Sequence, residues 1–268
     1  MPRYAAAPER SSLWIRRFQP APAAPAQLVC FPHAGGSAGY FLPVARAMPT
    51  SVDVLAVQYP GRQDRAGEAC VEDVHQLADQ VVRELLPWAD RPFTLFGHGL
   101  GASVAFEVAV RMERAGIVLQ GVVVSGRRAP SRPRDPAQDV HRADDRTLIR
   151  DVERLSGTDP LMLRDPELLE MVLPSVRGDY KAAETYRSRP GRDRVGQPLL
   201  VLTGDADPQV TAVEAEAWAE HTTAGCSVRT FAGGHFFLND HSLSVHSAIS
   251  AFIAGRNLPA RLGQGRLG

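Results

Sequence analysis

A chain of 268 residues that is 44% hydrophobic can bury one large α/β core. Thirty basic residues balance thirty acidic ones, so neither nucleic acid nor an anionic membrane is an expected partner. No apolar run reaches the roughly 18 residues needed to cross a bilayer and no signal peptide is evident. Cys30, Cys70 and Cys226 are an odd set without metal-ligand spacing, so a cytoplasmic protein with reduced thiols is expected.

Residues 1–26 form an N-terminal extension, in which Pro20, Pro22 and Pro25 forbid regular helix and Leu13-Trp14-Ile15 offers an edge strand. Gln27 to Phe31 reads as a buried strand. It ends in Pro32-His33-Ala34-Gly35-Gly36-Ser37-Ala38-Gly39, a loop rich enough in glycine to expose its amides. Val52 to Gln58 is the next strand, and Val71 to Leu86 carries helical spacing that Pro87 stops.

Phe93-Thr94-Leu95-Phe96 then enters Gly97-His98-Gly99-Leu100-Gly101 and leaves as the helical pattern from Ala102 to Val110. Strand, sharp turn and helix in that order, with glycines flanking the turn, match the G-x-S-x-G nucleophile elbow with glycine in the place of serine. The turn puts its central residue at a helix N-terminus whose amides suit an oxyanion. In hydrolases of this architecture the oxyanion hole uses the amide after the nucleophile and one from the loop after an early strand, here Leu100 and Ala34. Ser103 lies one helical turn on and faces the wrong way to replace the missing hydroxyl.

Gly121 to Ser125 is another strand, so strands and helices alternate as in a mainly parallel sheet covered on both faces. Residues 27–126 and 197–255 are the two parts of this core. Between them, 127–196 begins too rich in proline for the sheet and continues with helical patterns at Asp144 to Leu155 and Pro166 to Val176, which suits a helical lid. Met162, Tyr180 and Tyr186 are candidates to line an acyl-sized channel there, with ordinary packing as their alternative. Residues 256–268 are expected to be a loosely ordered tail.

Pro198 to Thr203 resumes the sheet and ends in Gly204-Asp205-Ala206-Asp207-Pro208. Asp207 is the candidate triad acid, and Asp205 the residue that braces the turn. After a helix around Val213 to Glu220 and a strand from Cys226 to Phe231, Gly233-Gly234 delivers His235 at a strand end. The chain order is empty nucleophile position, acid, base, which is that of α/β-hydrolases. His98 is expected beneath the turn and His33 in shaping the oxyanion loop, while His75, His141, His221, His241 and His246 lack metal-ligand spacing.

Seven segments taken in order, Pro32-His33-Ala34-Gly35-Gly36, Gln58-Tyr59-Pro60-Gly61-Arg62, Gly97-His98-x-Leu100-Gly101, Ser125-Gly126-Arg127-Arg128-Ala129-Pro130, Asp179-Tyr180-Lys181, Gly204-Asp205-x-Asp207-Pro208 and Gly233-Gly234-His235-Phe236, resemble the type II thioesterases of bacterial modular polyketide synthases. The resemblance spans about residues 13–255. It implies an α/β-hydrolase with a helical lid, a monomer without cofactor, that removes aberrant or stalled acyl groups from the phosphopantetheine arm of acyl carrier protein domains. It also implies a triad at position 99, Asp207 and His235. Arg127 and Arg128 are candidates to meet an acidic carrier protein, with a solvated charged face as the bland reading.

With Gly99 the first chemical step lacks its nucleophile, so the chain is expected to bind thioesters without turning them over. Intact machinery elsewhere favours a deliberate substitution at position 99. The alternatives are a natural acyl or carrier-protein binding protein on a hydrolase scaffold, and slow hydrolysis by water that His235 activates.

Overall fold

The structure is a computed structural model that describes residues 12–155, 165–189 and 194–257. Its sheet has seven strands, β1 (Ile15–Arg16), β2 (Ala26–Phe31), β3 (Val52–Val57), β4 (Phe93–His98), β5 (Leu119–Ser125), β6 (Leu199–Gly204) and β7 (Cys226–Phe231), in the order β1-β3-β2-β4-β5-β6-β7. Only β1 runs antiparallel, against β3. Strands β2 to β4 are buried at every position, as the unbroken apolar runs of a sheet covered on both faces require.

The helices are α1 (Leu42–Ala47), α2 (Val74–Leu85), α3 (Leu100–Arg114), α4 (Asp145–Leu155), α5 (Pro166–Thr185), α6 (Ala212–Glu216), α7 (Phe237–Asp240) and α8 (Ser242–Asn257). Helix α2 starts where Asp73 accepts the amide of Gln76, and it turns Leu77, Val81 and Leu85 inward against α3. Helices α2, α3 and α6 cover one face of the sheet, and α1, α7 and α8 cover the other, where Phe41, Val245 and Ile249 are buried. No helix among the described residues is long and apolar enough to cross a membrane.

Several elements depart from the sequence reading. Helix α5 runs beyond Val176 to Thr185 with Pro174 inside it, although an interior proline removes a backbone donor and argues for a break. The expected helix to Glu220 is α-helical only to Glu216 and tightens to a 3-10 turn over Ala217–His221. Helices α1, α7 and α8 have no counterpart among the elements read from the sequence, yet in α8 Val245, Ala248, Ile249 and Ile253 recur at helical spacing and are all buried.

This topology builds a site. From β2 the chain moves outward to β3 and returns to the opposite side of β2 as β4, so the strand order reverses between β2 and β4. Loops leaving the carboxyl ends of strands at such a point diverge and leave a crevice. Here the two loops are Pro32 to Gly39 and the turn at Gly99, brought level by pairing of Phe31 with Gly97.

Candidate active site

The turn between β4 and α3 consists of Gly99, at φ 54° and ψ −118°. A β-carbon on Gly97 would lie 2.0 Å from the carbonyl oxygen of Gly101, and one on Gly101 would lie 2.0 Å from that of Phe31. Both positions therefore admit only glycine. Gly99 is different, because a β-carbon there would meet Nε2 of His235 at 3.4 Å and Cβ of His33 at 3.5 Å, which are ordinary contact distances. The space for a side chain exists and points at an imidazole; only the positive φ disfavours one.

His235 reaches this point because β7 lies parallel to β6, so the loops after the two strands meet. Its Nδ1 lies 2.9 Å from Oδ2 of Asp207, and Oδ1 of Asp207 accepts the amide of Gln209 at 2.8 Å. An ionised carboxylate only accepts, so Nδ1 carries the imidazole proton and Nε2 presents its lone pair toward Gly99. Asp205 joins the loops from the other side, its Oδ1 accepting the amide of Gly233 at 2.8 Å. The structure thus brings together position 99, Asp207 and His235, with both side chains buried.

Leu100 opens the fifteen-residue helix α3, so its amide stands at the positive end of the helix dipole. Ala34 lies across the crevice, and both residues line the same cavity as Gly99 and His235. The two other histidines here stay neutral. Burial pushes His33 down to about 3, helped by the neighbouring His235 and Arg62, and burial likewise holds His98 well below its ordinary value. His98 packs beneath the turn, its ring 4.7 Å from that of His235 and its Nδ1 3.0 Å from Oγ of Ser125.

The cavity has a volume of about 780 Å³, and α4 and α5 wall it with Val152, Leu168, Met171 and Val172. Tyr180 and Tyr186 both line it. Their hydroxyls are engaged outside it, Tyr180 donating to Asp151 at 3.1 Å and Tyr186 to the buried Glu107 at 2.9 Å, so ring faces are what they offer a ligand. Met162 lies outside the described residues. Arg127 points inward, donating to Oγ of Ser103 at 2.9 Å and to the carbonyl of Ala183 at 2.5 Å. Those bonds tie its guanidinium to α3 and α5 at the cavity wall and engage the Ser103 hydroxyl. Arg128 is likewise occupied, paired with Glu214 at 2.8 Å.

Two residues near the site were quoted in the sequence motifs without a role. Arg62 and Asp179 form a buried bidentate pair at 2.6 and 2.9 Å, and both also bond to the loop that carries Ala34. Their separation in sequence hides the pairing; an arginine beside a proline-glycine turn and an aspartate within α5 give no local sign of it.

Comparison with known proteins adds four observations. A family model described as a thioesterase domain matches residues 26–253. The thioesterase PikA5 of Streptomyces venezuelae is 49% identical over 242 residues, covering 90% of this chain and 85% of that protein. Among solved structures, the type II thioesterase BorB from the borrelidin biosynthetic cluster superposes with a TM-score of 0.82 at 47% identity, covering 91% of this chain and 97% of that one. RedJ, the thioesterase of the prodiginine pathway in Streptomyces coelicolor, superposes with a TM-score of 0.79 at 32% identity, covering 94% and 91%.

Proposed function

The chain belongs to the thioesterase family, as a type II thioesterase of the polyketide and nonribosomal peptide kind with an α/β-hydrolase fold, and on that premise we propose that its site receives acyl groups held as thioesters on the phosphopantetheine arm of acyl carrier proteins and, as written, binds them without turnover. One observation carries this reading: the open position at Gly99 faces Nε2 of His235, whose Nδ1 is held by Asp207.

With serine at position 99 the chemistry follows from the geometry. The hydroxyl passes its proton to Nε2 of His235 as its oxygen attacks the thioester carbonyl. The amides of Ala34 and Leu100 receive the negative charge that develops on the carbonyl oxygen. Asp207 stabilises the imidazolium and fixes its orientation. The protonated imidazole returns the proton to the departing pantetheine sulfur, and water activated by the same ring then releases the acid. These steps draw only on side chains, amides and water.

With glycine the acyl-enzyme cannot form. Loss of a triad serine in another hydrolase costs on the order of 10⁶ in turnover, while oxyanion and binding contacts retain roughly 10³ to 10⁴ over water. The decisive experiment compares hydrolysis of a short acyl-pantetheine thioester by this chain and by Gly99→Ser. A gain of several orders of magnitude with serine is the expected result. No activity in either would sink the triad reading in favour of a binding scaffold, and equal activity in both would indicate water activated by His235.

A further inference from the structure

The amide of Ala34 has no side chain of its own to aim it; its direction depends on how the loop Pro32 to Gly39 is held. Gly36 donates to the carbonyl of His33 at 2.9 Å, which fixes the peptide unit carrying the Ala34 amide. The next amide, that of Gly35, is donated out of the loop to Oδ2 of Asp179 at 2.8 Å. The carbonyl of Gly36 accepts from Nη1 of Arg62 at 3.1 Å. Arg62 closes the circuit with its two bonds to Asp179, so a single buried pair grips the loop on both sides of the Gly35–Gly36 peptide, immediately after Ala34.

Asp179 is on α5, part of the lid. Val176, one turn earlier on the same face, presses on the loop too: a β-carbon on Gly35, whose φ is +75°, would lie 2.9 Å from Cγ2 of Val176. Every oxygen of Asp179 is used, and the side chain is 1% exposed. Replacing such a pair with apolar groups is often neutral for stability, and stability alone gives no reason for it to hold the glycines beside Ala34.

We propose that Asp179, held by Arg62, is a positioning residue for the oxyanion site, and that the Ala34 amide is correctly placed only while α5 is docked on the loop. Lid position and transition-state stabilisation are then one event. The proposal rests on the thioesterase reading of the site, and its test separates the two.

The experiment uses two variants. Asp179→Asn keeps the shape and weakens the acceptor; Arg62→Met combined with Asp179→Asn removes both charges, so no buried guanidinium is stranded to unfold the protein. In the chain as it stands, amide hydrogen exchange at Gly35 and Gly36 is expected to accelerate at least tenfold in both variants. In the Gly99→Ser background kcat is expected to fall about 10- to 100-fold with KM within about twofold, since a displaced oxyanion donor is felt in the transition state and not in substrate binding. Exchange at Gly35 and Gly36 unchanged in both variants overturns the proposal, and so does a rise in KM at constant kcat. Inactivity of Gly99→Ser itself defeats the proposed function, leaving the exchange measurement to decide the positioning role.

Discussion

Nε2 of His235 stands 3.4 Å from the point at which a β-carbon on Gly99 would be, while the backbone at Gly99 holds φ at 54°. The same geometry makes a side chain useful and costly. A non-glycine residue at positive φ carries strain on the order of 1–3 kcal/mol. Gly99→Ser is therefore expected to unfold at lower denaturant than the chain as written, by about 1–3 kcal/mol, while gaining hydrolysis. Equal or greater stability in chemical denaturation would show that the turn is not strained.

In the Gly99→Ser background, Asp207→Asn is expected to lower kcat on the order of 10³- to 10⁴-fold with little change in fold. The amide still fills the space but can present its NH₂ to Nδ1, which favours the wrong imidazole tautomer. The amide of Gln209 keeps an oxygen acceptor in one orientation, so the structure should survive. Circular dichroism alongside steady-state kinetics checks both halves; a fall below tenfold would remove Asp207 from the proposed triad.

How much of this was legible in the sequence depends on how local each signal is. The tight turn at Gly99 and the candidate acid and base each announce themselves within a few residues: glycines at 97 and 101 because backbone atoms approach within 2.0 Å of their missing side chains, Asp207 and His235 because each follows a strand end. The cavity wall was legible only as helical pattern, since nothing in the spacing of Tyr180 or Tyr186 shows that their hydroxyls are tied back to Asp151 and Glu107. The Arg62 to Asp179 bond spans 117 positions and depends on how α5 docks, which no local pattern encodes. Helix α8 was readable from its buried positions and was missed.

Buried histidines tie stability to pH. The folded-state value of His33 is about 3 against an ordinary 6.5, and that of His98 also lies well below 6.5. The unfolded chain takes up these protons below pH 6.5 and the folded protein does not, so their contribution is present above 6.5 and is lost as pH falls below it, for His33 down to about 3. The slope approaches about 1.4 kcal/mol per pH unit for each residue. Denaturation midpoints measured between pH 7.5 and 5 should decline accordingly. His33→Phe should flatten the decline; an unchanged slope in that variant would mean that His33 does not supply it.

Glycine is demanded unequally around the site. Gly101→Ala would drive a β-carbon to 2.0 Å from the carbonyl oxygen of Phe31, whereas one on Gly234, beside His235, has nothing within 4 Å and no positive φ to oppose it. Gly101→Ala is expected to cost more than about 4 kcal/mol, in the range that abolishes folding of an ordinary domain, and Gly234→Ala less than about 1 kcal/mol. Soluble yield and thermal midpoint distinguish the two. A well-folded Gly101→Ala would show that α3 can slide away from β2.

Glu107 joins three elements that have no sequence proximity. Its Oε1 accepts from the hydroxyl of Tyr186 just past the end of α5, its Oε2 pairs with Arg111 in the next turn of α3, and Nδ1 of His75 on α2 lies 3.2 Å from the same oxygen. Its side chain is 4% exposed, so removal leaves the Tyr186 hydroxyl without its acceptor and takes a buried charge partner from Arg111, which keeps Asp79. Glu107→Ala is expected to cost about 2–4 kcal/mol and Tyr186→Phe about 1 kcal/mol. The tyrosine hydroxyl has value only while its acceptor is present, so the double variant should be less destabilised than the two separate losses imply, with a coupling of about 1 kcal/mol in a double-mutant cycle. Strict additivity would mean that Tyr186 holds the end of α5 through ring packing alone, and that the bond to Glu107 contributes nothing to fixing that wall of the cavity.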